Sequence, residues 1–256
     1  MVKKEESTLK LYAPQFKMSN SDDDLFYESM DNFFSRSVGT NIEKLRNFAK
    51  FVPRSALSTF LLKAELFNKI LNVQGSIIEG GVFLGGGLMT WAQLSAIYEP
   101  VNYTRKVIGF DTFSGFPSVH KKDNLEYAKE GEVCVDSYDD IVECIKLYDI
   151  NRLVNHIPRV QLVKGDARKT IPEYLKNNPH LVVSMLYLDF DLYEPTKIAL
   201  ETLIPRMPKG AILVFDDLDS KVWQGATTAV CDSIGINNLR IQRSHISPRI
   251  SYSIIE

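Results

Sequence analysis

From Gly75 to the C-terminus the chain alternates short, almost wholly apolar runs with stretches of helical period, and few architectures accept that alternation. Ser76–Glu79, Lys106–Phe110, Val160–Lys164, Leu181–Leu188 and Ala211–Phe215 read as five buried strands. Leu88–Tyr98, Tyr138–Leu147, Ile171–Asn177, Glu194–Leu203 and Gly225–Ile234 read as helices between and after them. Strands without polar alternation must be covered on both faces, the condition of a parallel sheet in an α/β protein. The tail differs. Leu239–Ile246 and Arg249–Ile255 alternate polar and apolar residues around Ser247-Pro248 and predict two antiparallel strands closing the sheet edge. The expected fold is Rossmann-like α/β with helices on both faces, and its ligand site lies beyond the carboxyl ends of the strands.

Upstream, Pro53 suits a first helical turn, and Leu57, Phe60, Leu61, Ala64, Phe67 and Leu71 follow at helical spacing. The first forty residues are polar, with acids at Asp22, Asp23 and Asp24 and a small-residue break at Ser37–Thr40, and predict one short helix in a flexible lead-in. The domain reading is therefore an N-terminal extension over 1–52 and a main domain over 53–256. Leu25, Phe26, Phe33, Phe34, Leu45, Phe48 and Phe51 give that extension the apolar anchors of a lid or of a contact with a second subunit, so a homo-oligomer stays open.

Composition excludes several function classes. Thirty basic residues against 32 acidic give a net charge of −2, without the large positive field of a generic nucleic-acid binder. The start, MVKKEESTLKLYAP, lacks the apolar core of a signal peptide. Apolar runs stop far short of the ~20 residues of a membrane helix, so no membrane insertion is expected. Cys134, Cys144 and Cys231 are odd in number and form no C-x-x-C pair, and predict reduced, mostly buried thiols in a cytoplasmic protein without disulfide or zinc.

The strand ends supply the candidate site. The first ends in Glu79-Gly80-Gly81, with Gly85-Gly86-Gly87 soon after. The spacing is not G-x-G-x-x-G, and the leading acid opposes a pyrophosphate but favours a cationic ligand group. Asp111 ends the second strand, where an acid accepts from ribose hydroxyls. Phe113 and Phe116 beside it either wall an adenine or fill the core. Asp166-Ala167 ends the third, as an adenine contact or a helix cap. Asp189 and Asp191 follow the fourth strand, and Asp216, Asp217 and Asp219 the fifth. Acids this close repel one another unless protons or a cation intervene, and oxygen-only ligands suit a hard ion such as Mg²⁺.

In this order the motifs resemble the macrocin O-methyltransferase family, class I S-adenosylmethionine-dependent enzymes that methylate sugars of macrolide antibiotics. The matching stretches are Ile78–Gly86, Gly109–Pro117, Leu188–Thr196, Phe215–Asp217 and the helix from Gln224 to Val230, and the likeness runs from Pro53 to Ile236. The resemblance implies a seven-stranded sheet with a reversed last strand. It implies that Glu79, Gly80, Gly81, Val82, Gly85 and Gly86 hold the methionine part of the cofactor, that Asp111 binds its ribose beside Thr112 and Phe113, and that Asp166 and Ala167 face its adenine. It further implies that Asp189, Asp216 and Asp217 bind Mg²⁺, which orients hydroxyls of a sugar or glycoside acceptor. Gly80 departs from the family pattern, in which a small polar residue is common there, and the tail lacks the usual aromatic-basic ending. Methyl transfer is an in-line displacement and needs a proton acceptor for the hydroxyl: Asp189 or Asp191, with His245 a weaker candidate. A non-catalytic S-adenosylmethionine-binding protein, a metal-independent methyltransferase with another acceptor, a metal-dependent phosphohydrolase and an NAD-dependent oxidoreductase are the alternatives. The acid at Glu79 argues against the phosphohydrolase and the absent G-x-G-x-x-G against the oxidoreductase.

Overall fold

A computed structural model describes residues 21–256. The expectations for residues 1–20 lie outside the described part. The chain divides into two compact units, one ending at Thr59 and one running from Phe60 to Glu256, so the division falls inside a helix rather than at the expected 52/53 boundary.

The first unit is more helical than expected. Helix α1 spans Ser21–Arg36 and α2 spans Asn41–Arg46. The break at Ser37–Thr40 is a start signal: the Thr40 hydroxyl accepts from Glu43 N, and the Glu43 carboxylate accepts from Thr40 N at 2.7 Å. Phe33 packs tilted and Phe34 edge-on against Phe51, with ring centres at 5.6 and 5.2 Å. Helix α3, Arg54–Lys69, leads into the second unit.

In that unit β1 (Ser76–Gly80), α4 (Gly86–Tyr98), β2 (Val107–Asp111), α5 (Tyr138–Ile150), β3 (Val160–Lys164), α6 (Ala167–Asn177), β4 (Val183–Leu188), α7 (Tyr193–Leu203), β5 (Ile212–Phe215), α8 (Gln224–Ser233), β6 (Gln242–Arg243) and β7 (Ser251–Ile254) follow in order. The seven strands pair as β3-β2-β1-β4-β5-β7-β6. β7 inserts antiparallel between β5 and β6, the reversed strand that the tail predicted.

The pleat sorts strand residues onto two cores. Ile77, Val107, Met185, Tyr187, Ile212 and Val214 face α3, α4 and α5. Ile78, Ile108, Phe110, Leu186, Leu188, Leu213 and Phe215 face α6, α7 and α8. Every residue of β4 is buried, which is why its sequence shows no alternation. Two local expectations fail. Helix α3 buries Leu62, Lys63, Leu66 and Phe67, while Phe60 and Leu61 stay exposed; the lysine inside the buried stripe disguised its true face. All three cysteines are exposed rather than buried. Cys144 and Cys231 lie on the outward faces of α5 and α8, where apolar character decides nothing.

Candidate active site

Registers bring the strand ends level. Gly80 of β1 pairs with Phe110 of β2 and with Leu188 of β4, and Leu188 pairs with Phe215 of β5. The main-chain ladder continues past the strands: Gly81 N donates to Phe110 O at 2.9 Å, Asp189 N to Gly80 O at 2.8 Å and Asp216 N to Leu188 O at 3.1 Å. A Cβ at Gly81, where φ is +86°, would lie 2.0 Å from the Asp189 carbonyl oxygen, so only glycine fits. The Phe190 ring fills the space that a Cβ at Gly80 would need, at 2.3 Å, which accounts for this departure from the family pattern.

Four of these strand ends are followed by a non-glycine residue in the left-handed region: Phe83 after β1, Phe113 after β2, Asp191 after β4 and Asp219 after β5. Such strain persists only where surrounding structure over-determines it, and it concentrates at functional sites.

On the β1–β2–β3 side the acids are already satisfied. Asp111 Oδ2 accepts from Val82 N (2.7 Å) and Phe83 N (2.9 Å), and its Oδ1 accepts from Phe113 N (2.8 Å). A carboxylate accepts about four hydrogen bonds, so roughly one direction remains for a ribose hydroxyl. Asp111 thus shapes the glycine loop as well as facing it. Val82 is buried in the core and Gly85 stands at the N-cap of α4, with Gly86 exposed at its first turn. Thr112 Oγ1 donates to Gly115 O and closes a turn. Phe113 is buried and packs edge-on against Tyr138 at 5.2 Å, which favours core filling, whereas the partly exposed Phe116 meets Trp223. Asp166 caps α6 and takes a two-pronged bond from Arg168, whose guanidinium holds its carboxyl below the usual range. Ala167 is buried in the first turn of α6.

On the β4–β5 side the acids are crowded. Carboxylate oxygens of Asp189, Asp191 and Asp217 all lie within 4.8 Å of one another. Burial, with Asp216 and Asp217 nearby, pushes Asp189 well above the carboxylate range; burial, Asp217 and Asp189 do the same to Asp191. Asp217 is pushed up to about 6 by burial and Asp216, and its Oδ2 is buried without a partner. Asp216, expected in this group, does not join it. Its Oδ1 accepts from the Tyr187 hydroxyl at 2.9 Å and its Oδ2 from the Arg249 guanidinium, which also lies 3.8 Å from Asp217. Asp191 stands in its place. Asp219 is exposed and outside the cluster, and His245 is exposed in the turn between β6 and β7.

The sequence reading missed Arg249, Tyr187, Lys63 and Asp123. Asp123, from the long β2–α5 connection, is buried and caps α7: it accepts from Tyr193 N at 2.7 Å and from His120 N at 2.8 Å. Arg249, Tyr187 and Lys63 carry no local signal, because their partners lie many residues away; Asp123 has a local turn to His120, but its bond to Tyr193 spans 70 residues.

Residues 62–246 match the family model of macrocin O-methyltransferases. The chain belongs to the macrocin O-methyltransferase family. Among solved structures, that of a calicheamicin methyltransferase is 32% identical, with 92% of this chain and 93% of that chain covered and a TM-score of 0.89. An apo structure of the same enzyme, described as a TDP-rhamnose 3'-O-methyltransferase, is 30% identical, with 92% and 95% covered and a TM-score of 0.81. Demethyldecarbamoylnovobiocin O-methyltransferase of Streptomyces niveus is 24% identical, over 72% of this chain and 71% of its own length. The 4'-O-methyltransferase of Streptomyces olivaceus that acts on a rhamnosyl-tetracenomycin is 26% identical, over 57% of this chain and 53% of its own length. These relatives are O-methyltransferases, and the macrocin-family chain described here is one of that class.

Proposed function

We propose that this chain transfers a methyl group from S-adenosylmethionine to a hydroxyl of a sugar, presented as a nucleotide sugar or as the sugar of a natural-product glycoside. The observation that carries this reading is the convergence of Asp189, Asp191 and Asp217 on one rim, bonded through the main chain to the glycine loop that follows β1. The names of the relatives support the sugar: two of them name rhamnose or a rhamnosyl group.

The donor belongs over the β1–β2–β3 ends. There Glu79, Gly80, Gly81, Val82, Gly85 and Gly86 would meet its methionine part, Asp111 its ribose, and Asp166 and Ala167 its adenine. The acceptor belongs over the β4–β5 ends. Three carboxylates, all driven toward protonation by burial and then by mutual repulsion, form an oxygen-only donor set that fits Mg²⁺. We assign Asp189 and Asp217 to the cation and Asp191 to the proton of the acceptor hydroxyl. When bound, Mg²⁺ supplies Lewis acidity and a template for neighbouring acceptor oxygens. Asp191, raised by burial and then by its neighbours and held in a left-handed backbone conformation, is poised as the base at Oδ. Asp216 is the alternative third ligand, and reaching the cation would require it to leave Arg249.

A metal-independent transferase has one observation in its favour: Arg249 already brings positive charge to Asp216 and Asp217. Methyl transfer from labelled S-adenosylmethionine to TDP-linked deoxysugars and to glycosides tests the whole reading. Turnover that is lost in EDTA and restored by Mg²⁺ is expected; full turnover in metal-free enzyme would move the assignment to the Arg249 alternative. Residues 1–52 are assigned to acceptor turnover rather than donor binding, so a chain starting at Pro53 should bind S-adenosylhomocysteine yet fail to methylate. The three unpaired, exposed thiols suit a reducing compartment, and we place the enzyme in the cytoplasm. No described helix is long and apolar enough to cross a membrane.

A further inference from the structure

Lys63 is a lysine where the core has no ordinary use for one. It projects from α3 into the main core, 3% exposed, and its ammonium sits over two aromatic faces, 4.4 Å from the Trp91 ring centre and 4.0 Å from that of Tyr187. Its one carboxylate contact is Glu79 Oε1, at a long 3.4 Å. Glu79, also 3% exposed, leaves its other oxygen, Oε2, buried and without a hydrogen-bond partner. A pair of this kind is a poor way to stabilise a fold. Removing two charges from water is costly, and apolar residues of equal volume are often as good or better.

The geometry gives the pair another use. Glu79 is the penultimate residue of β1, before Gly80 and Gly81, and both Glu79 Oε1 and Lys63 Nζ crowd the first turn of α4, within 2.0 and 2.8 Å of where a Cβ at Gly87 would be. The carboxylate is therefore held beside the glycine loop through Oε1, with the Trp91 indole as a second group that favours its charged form. Burial pushes the Glu79 carboxyl up, and the Lys63 charge is the largest influence opposing that. Held this way, the carboxyl is placed to accept from a cationic ligand group at the glycine loop.

We propose that Lys63 is a positioning residue for the methyl donor: pinned between Trp91 and Tyr187, it holds and orients the Glu79 side chain beside the glycine loop so that Glu79 receives the donor's ammonium. This rests on the reading of Glu79 as a donor-binding residue. Lys63 touches no substrate and acts through Glu79 alone.

A double-mutant cycle on the full chain tests this, with S-adenosylhomocysteine binding measured by calorimetry and folding by thermal melting. E79Q should weaken binding by about tenfold or more, the loss of a charge-assisted bond. K63M should weaken it to a similar degree and raise the donor KM more than it lowers kcat; it also leaves a buried carboxylate unpaired, so its melting temperature should fall and recover in K63M/E79Q. K63Q runs in parallel as the second substitution. The decisive readout is the pair: K63M/E79Q should bind no worse than E79Q, because Lys63 has nothing left to position. Additive losses would overturn the proposal, as would wild-type affinity in K63M beside a weakened E79Q; either result leaves the Glu79 assignment standing. Unchanged affinity in E79Q would remove that assignment and the inference together.

Discussion

The two halves of one sheet edge treat their carboxylates in opposite ways. Over β1, β2 and β3, each acid has a partner within the chain: Asp111 takes three backbone N–H groups, Asp166 takes Arg168, and Glu79 takes Lys63. Over β4 and β5, Asp189, Asp191 and Asp217 face mainly one another. The first half is shaped and compensated by its own chain. The second carries an electrostatic conflict that a cation or protons must relieve. Rim acids at equivalent places on neighbouring strands thus do different work, one set holding a loop and the other gathering charge.

Substitutions can break that contrast. Asp191→Asn should have the largest effect, lowering kcat by about 10²–10⁴-fold, as removal of a general base does. S-adenosylhomocysteine affinity should stay within about twofold, because nothing on the donor side uses Asp191. A parallel loss of donor binding would show that the two halves are one site energetically. The next effect is on pH dependence. Asp217 is held at about 6 against an ordinary 3.8, so the folded chain keeps this proton after the unfolded chain has released it. Its contribution is fully present below about pH 4 and is lost as pH rises through 6, a fall of about 3 kcal/mol. Urea midpoints at pH 5 and pH 7.5 should differ in this direction in EDTA and converge in Mg²⁺. An equal slope in both would remove the cation from the account.

Asp111→Ala should cost about 2–3 kcal/mol of donor affinity, through charge-assisted bonds to the glycine loop and to the ribose. Calorimetry reads the loss, and unchanged affinity would sink the ribose assignment. Asp219→Asn should do least, since Asp219 is exposed and outside the cluster: activity near wild type and stability within about 0.5 kcal/mol. A strong phenotype there would redraw the acceptor side.

Most of the sheet was legible because burial on both faces writes itself into a strand as unbroken apolar sequence. β4 and β5 show this plainly. The carboxyl-end rule then turned strands into candidate residues, and Asp189, Asp191 and Asp217 did converge. Illegible were features that depend on side-chain direction. Asp216 and Asp217 are consecutive, so their side chains leave the chain differently, and only the fold shows that Asp216 turns to Tyr187 and Arg249. The buried face of α3 was misread for a related reason: helical period finds apolar stripes, and Lys63 interrupts this one.

The ladder that runs on beyond the strands, from Phe110 through Gly81 and Gly80 to Asp189, has a consequence for how such an enzyme diversifies. The span between the loop after β1, proposed above for the methyl donor, and the loop after β4, proposed for the acceptor, is set by peptide groups, with no side chain in the measuring line. Replacing side chains around it can therefore change which hydroxyl is presented without altering how far the methyl carbon must travel. Misplacement of about 1 Å can cost on the order of 10²-fold in rate, so a reach fixed in the backbone is an inheritance that drift at neighbouring positions leaves untouched. Relatives that share 24% to 32% of their residues with this chain and are named for different molecules are the expected outcome of such a rule.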